Sequence, residues 1–213
     1  MFHRHPSKLL NAHFQAKPYQ GANPEHSRFL FVGLDANYSE TIEQNSIFKN
    51  ILLYHEDGPR FWTDTGVHHP FVLPSYKGDG RRYHVTFAKI GFQPKHAQSV
   101  SFIELLHCPT VGRSKLVLQD LDPTHLELIH HYIFAGKAKY IFISSGVLRL
   151  MSATKIFRNL GTVNQQLGAL RVLYEDDDRA VFLHLHFSNY GKFELQLQAE
   201  SRGIAELLEY GDT

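Results

Sequence analysis

Cysteine is all but missing from this chain. The single Cys108 among 213 residues excludes an internal disulfide, a four-thiolate zinc site and an iron–sulfur cluster, and is compatible with a reducing compartment. An excess of charge of either sign is missing too. The 22 Lys and Arg against 21 Asp and Glu leave a formal net charge of +1, so no global basic field draws the chain to nucleic acid and any such site has to be a local patch. No apolar run reaches the ~18 residues of a membrane span, and the opening MFHRHP lacks the apolar stretch of a signal peptide, so a soluble, cytoplasmic protein without membrane partners is expected. Gly33 has no second and third glycine at dinucleotide spacing, which leaves no case for NAD binding. Ser144-Ser145-Gly146 is not a Gly-x-Ser-x-Gly elbow, which argues against a serine hydrolase.

What is present is apolar and aromatic. With 43% hydrophobic residues, 16 Phe and 10 Tyr, the chain carries enough apolar surface for a substantial core. Histidine is frequent, at 15 residues. The neighbours His68-His69 and His130-His131 point apart in regular structure, and His184 with His186 share a strand face without a third marked ligand. No metal and no cofactor are therefore expected.

Residues 1–27 are polar, carry Pro6, Pro18, Gly21 and Pro24 and show no period; they read as an irregular arm packed on one domain spanning 28–213. Four short apolar runs, at 28–34 (RFLFVGL), 99–106 (SVSFIELL), 139–144 (KYIFIS) and 180–186 (AVFLHLH), read as strands buried on both faces. Helical patterns fall between them. Asp122 is placed as an N-cap with Pro123 in the first helical position, Leu126, Ile129, Ile133 and Phe134 on one stripe, and Gly136 as the stop. Further helical spacing lies in 39–53, after Gly146, and at Ile204, Leu207 and Leu208. Strands alternating with helices predict α/β architecture with a mostly parallel sheet, whose ligands gather at the strand C-termini. Residues 54–98 fit this scheme poorly; within them Lys77, Arg81 and Arg82 form the most basic loop of the chain.

The strand ends carry the chemistry. Gly33-Leu34-Asp35-Ala36-Asn37 follows the first run, Glu104 lies in the second ahead of His107-Cys108-Pro109-Thr110, and His186-Phe187-Ser188-Asn189-Tyr190 ends the fourth. A carboxylate at one strand end and an imidazole at another suit hydrolysis, one group orienting water and the other stabilising a leaving group.

These segments also carry a family resemblance. Gly33-Leu34-Asp35-Ala36-Asn37-Tyr38 resembles the first signature of the uracil-DNA glycosylase superfamily, of the Gly-x-Asp-Pro-Tyr type, and His186-Phe187-Ser188 is similar to its second, His-Pro-Ser. The segment from Ser101 to Thr110 resembles the family's middle segment, with Glu104 where a base-reading Asn is usual. The resemblance covers roughly residues 28–191. It implies a three-layer α/β fold with a central four-stranded, mostly parallel sheet, and a monomeric, cofactor-free hydrolase that cleaves the N-glycosidic bond of a base flipped out of DNA. It implies that Asp35 supports water attack and the cationic sugar, and that His186 stabilises the departing base. It further implies base contacts from Gly33, Leu34, Asn37, Phe48, Glu104 and Ser188, with Phe48 stacking on the base. DNA contacts fall to Asn189 and Tyr190, and to Lys77, Arg81 and Arg82 if their loop touches phosphates. A hydrolase or transferase of free nucleosides or nucleotides, or a non-catalytic nucleic-acid or nucleotide-binding relative, shares the same residues. An ionised Glu104 only accepts hydrogen bonds and prefers an amino-bearing base edge to uracil, unless it is protonated and donates.

Overall fold

A computed structural model describes residues 2–112, 115–161 and 165–209. In chain order the strands are β1 (His3–Arg4), β2 (Tyr19–Gly21), β3 (Phe29–Gly33), β4 (Asn37–Tyr38), β5 (Val100–Glu104), β6 (Thr110–Val111), β7 (Tyr140–Ser144), β8 (Gln166–Leu167), β9 (Leu170–Glu175) and β10 (Ala180–His184). The helices are α1 (Lys8–Ala16), α2 (Phe48–Glu56), α3 (Gly58–Thr65), α4 (Arg81–Ala88), α5 (Pro123–Phe134), α6 (Ser145–Ala153) and α7 (Glu194–Glu209).

The expected central four-stranded, mostly parallel sheet is corrected. The main sheet has seven strands in the order β2-β5-β3-β7-β10-β9-β8, and β1-β6-β4 make a second, three-stranded sheet. β3 pairs parallel with β5 and with β7, and β10 parallel with β7. The edges run the other way, since β2 joins β5 antiparallel and β9 joins both β10 and β8 antiparallel. Both additions protect edges that a four-stranded sheet would expose. One comes from the N-terminal segment, which is not irregular: Ser7 caps α1 by accepting from the Leu10 N–H, and β2 enters the sheet. The other is a hairpin turned by Asp176, whose carboxylate accepts from the N–H groups of Asp178 and Arg179 at 2.9 Å each.

The inner strands alternate by chemistry as well as by face. Leu30, Val32, Ile103, Ile141, Ile143 and Val181 form an aliphatic face packed with residues of α5 and α6. Phe31, Phe102, Phe142 and Phe182 stand in register on the opposite face, their rings stacked at 5.4, 4.8 and 5.6 Å across successive strands. That aromatic ladder is covered by Trp62 of α3, Phe87 of α4 and Leu197, Ile204 and Leu207 of α7. Asp122 caps α5 as expected, its side chain accepting from the His125 N–H at 2.8 Å. Among the described residues no helix is long and apolar enough to cross a membrane.

His68 and His69 differ from expectation. They lie in an irregular segment ahead of a single 3-10 turn, so adjacency does not separate them, and both turn inward onto His84. The His69 and His84 rings stack at 3.5 Å, and His84 Nδ1 lies 3.3 Å from His68 Nε2. Burial lowers all three imidazoles well below the ordinary range, so they pack as neutral aromatic rings.

Candidate active site at the strand ends

The parallel registers bring Gly33 beside Glu104 and Ser144 beside His184. Two residues beyond each outer member of the β3 to β10 set come Asp35 and His186. Glu104 points to the aromatic face, over Gly33: a Cβ on Gly33 would stand 1.9 Å from Glu104 Oε2. The missing side chain of Gly33 is therefore the space that the Glu104 carboxyl group occupies. Its main chain is anchored from behind, where His125 Nε2 donates to the Glu104 carbonyl at 2.8 Å. Burial, and secondarily the neighbouring Asp35, raise the Glu104 carboxyl to about 8, and its charge is also felt at Tyr38, Tyr54 and Tyr83. Near neutrality Glu104 is therefore protonated, with one O–H donor and one carbonyl acceptor.

Asp35 is held by a short relay. The Thr110 hydroxyl, fully buried, donates to Asp35 Oδ2, and the Asn37 amide donates to Thr110 Oγ1 at 3.0 Å and to the Gly112 carbonyl. This fixes one carboxylate oxygen of Asp35. Asn37, expected at the base, is instead turned to β6, where it positions Thr110.

His186 is oriented by the turn that follows it. Its Nδ1 accepts from the Ser188 N–H at 3.3 Å and lies 2.6 Å from Ser188 Oγ, while the Asn189 N–H donates to the His186 carbonyl at 2.9 Å. With Nδ1 engaged as acceptor, the neutral ring carries its proton on Nε2 and presents an N–H donor. Burial lowers the His186 pKa, with Asp35 opposing, so this neutral tautomer is favoured. The Tyr83 ring lies 5.2 Å from the His186 ring. The turn itself is tied to α7 by Glu200, 3% exposed, whose carboxylate accepts from the Leu185 N–H at 2.6 Å and from Gln196 at 2.8 Å.

Other expected site residues fall in different places. Phe48 is a core residue of α2, 8% exposed among Leu10, Phe14, Tyr38 and Ile51. Leu34 packs against the aliphatic core, close to Gly146, where a Cβ would sit 3.4 Å from its Cδ1. The basic loop divides: Lys77 is exposed, Arg81 Nε donates to the Tyr76 carbonyl at 3.1 Å, and Arg82 lies over the Tyr190 ring at 4.2 Å. His184 is buried against Phe187 and is not paired with His186 toward a metal; no group of three or more His, Cys, Asp or Glu among the described residues is arranged to hold one.

Thr110, Tyr83, His125 and Glu200 belong to the site and carried no marked motif. A glutamate inside the apolar stripe of α7 is the one sequence signal that could have found Glu200, whereas the burial of Thr110 against Asp35 exists only in the fold. No protein-family model matches this chain, and no curated protein matches it.

Proposed function

We propose that this protein is a glycosylase-like hydrolase that cleaves the N-glycosidic bond of a nucleotide flipped out of DNA. The observation that carries the reading is His186, held by Ser188 as a neutral imidazole with Nε2–H free, at the same sheet end as Asp35. A departing base develops negative charge on a ring nitrogen or an exocyclic carbonyl oxygen, and a fixed N–H donor stabilises that charge without reorganisation. Asp35, with one oxygen held by Thr110, has the other to orient water and to balance the positive charge that grows on the sugar.

Glu104 supplies the base preference. As a neutral acid it accepts from a ring N–H and donates to the adjacent carbonyl, so the acceptor-against-acceptor conflict with uracil disappears below pH ~8 and returns when the group ionises. The preferred class is a pyrimidine or purine with an N–H beside a C=O, the edge created by deamination. Asn189, Tyr190 and Arg82 supply contacts to the DNA around the flipped nucleotide. The one thiol, Cys108, is buried and free, in keeping with work in a reducing cytoplasm.

The test is single-turnover release of uracil from a labelled oligonucleotide. Asp35→Asn and His186→Ala are each expected to slow release on the order of 10²-fold or more while DNA binding persists. Equal rates in the folded variants and the wild type overturn the assignment.

A further inference from the structure

One opening on the surface lies not at the strand ends but beside them. A groove of about 570 Å³ runs between α4 and α7, within the ~300–1,000 Å³ typical of ligand sites, and neither Asp35 nor His186 lines it. Asn189 and Tyr190, in the turn that follows His186, line it. The floor is apolar, with Ile90 and Leu197, and the walls carry Arg82, Lys89 and Arg202 against the single carboxylate of Glu194. All three cations are exposed, and none forms an ion pair among the described residues. Tyr190 is 70% exposed while Arg82 covers it at 4.2 Å.

We propose that this groove is a track for single-stranded nucleic acid, continuous with the strand-end site and leading the chain away from it. Single-strand sites combine cations that follow the phosphates with aromatic rings on which bases stack. Here the cations outnumber the carboxylate, the exposed Tyr190 ring lines the groove, and its apolar residues suit unpaired base faces. An acidic peptide would use the charges but leave the exposed ring and the apolar floor without a role. The inference rests on the nucleic-acid reading above and extends it: the footprint is not confined to the flipped nucleotide, and a single-stranded segment beside it is held by α4 and α7.

The probe is a fluorescein-labelled dT 12-mer, followed by anisotropy between 50 and 300 mM salt with the full-length protein. Replacing Arg82, Lys89 and Arg202 together by Ala is expected to weaken binding at least ~10-fold and to lower the salt slope by about 2, the value for three phosphates on a single strand. Tyr190→Ala is expected to weaken it on the order of 10-fold with the slope unchanged, and Tyr190→Phe to retain affinity. The proposal is overturned if wild type does not bind the 12-mer, if the triple variant binds it as wild type does, or if an Asp/Glu-rich peptide of equal length binds more tightly. Base release is scored separately on uracil-containing oligonucleotides. Losses of dT binding in these variants without any base release by wild type leave the groove standing and remove the glycosylase reading. Base release by wild type with dT binding indifferent to the substitutions does the reverse.

Discussion

Replacing Glu104 by Gln should stabilise the protein, and by an amount that grows with pH. In the folded chain the carboxyl group is raised from 4.5 to about 8 by burial and by Asp35, whereas in the unfolded chain it ionises near its ordinary value. Between these two values the folded state holds the proton and the unfolded state has released it. Wild type therefore loses stability as pH rises from 4.5 to 8, by up to about 1.4 kcal/mol per pH unit, and the loss is complete above 8. The interval sets a ceiling of about 5 kcal/mol, which solvent at the mouth of the site reduces. Gln has no proton to release, so its difference from wild type carries the full pH dependence, and any change in hydrogen bonding adds only a constant. The groups that share the electrostatics of Glu104 are Asp35, Tyr38, Tyr54 and Tyr83, and of these only Asp35 is a carboxylic acid. Urea unfolding of both proteins at pH 5, 6, 7, 8 and 9 measures the difference directly. A difference that rises by ~2 kcal/mol or more from pH 5 to pH 8 and then levels is expected. A difference that stays flat across this range refutes the burial of Glu104 beside Asp35, and with it the neutral acid at the site.

Three further outcomes follow from the same contacts. Gly33→Ala puts a methyl carbon where Glu104 Oε2 now lies, so it should destabilise the fold by ~1–3 kcal/mol, and Glu104→Ala in the same chain should recover most of that loss; additive unfolding energies would contradict the overlap. Thr110→Val removes the donor that holds Asp35 and should slow base release ~10-fold or more with little change in substrate binding, whereas an unchanged single-turnover rate removes Thr110 from the positioning of Asp35. Glu200→Ala leaves the Leu185 N–H without its partner and should cost about 1–3 kcal/mol in denaturant unfolding, with Glu200→Gln costing less; equal stability of all three proteins contradicts the anchor.

The inner strands were legible because each lies within one of the apolar runs at 28–34, 99–106, 139–144 and 180–186; the strands themselves end at Gly33, Glu104, Ser144 and His184, the positions the register aligns. The cap of α5 was legible for a similar reason, since Asp122 and Pro123 each have one favourable place at a helix start. The edges of the sheet were not. β2 is three residues long, follows Pro18 and ends on Gly21, and its place is set by pairing with β5 rather than by any pattern of its own. β9 alternates buried and exposed residues only in part and follows a stretch without period, so its pairing with β10 depends on the Asp176 turn. At the candidate site, Asp35, His186 and Ser188 were visible as strand-end residues, and the fold places them at one sheet end. Asn37 and Phe48 were assigned to the base because sequence spacing does not say which way a side chain turns. The first is drawn to Thr110 and the second into the core beside Tyr38. The protonation state of Glu104 is likewise a property of its burial and of Asp35, which are separated from it by 69 residues of chain and meet it only in the fold.

On the proposed function, Asp35, His186 and a neutral Glu104 form one site for releasing a base. The most direct measurement is base release from single- and double-stranded oligonucleotides carrying uracil, hypoxanthine, xanthine or unmodified cytosine, scored as abasic sites at pH 6, 7, 8 and 9. Release of a base bearing an N–H beside a carbonyl is expected, with loss of that activity in Asp35→Asn and a fall above pH ~8 that Glu104→Gln abolishes. Absence of abasic sites from every substrate at every pH, with the wild-type protein folded, contradicts it.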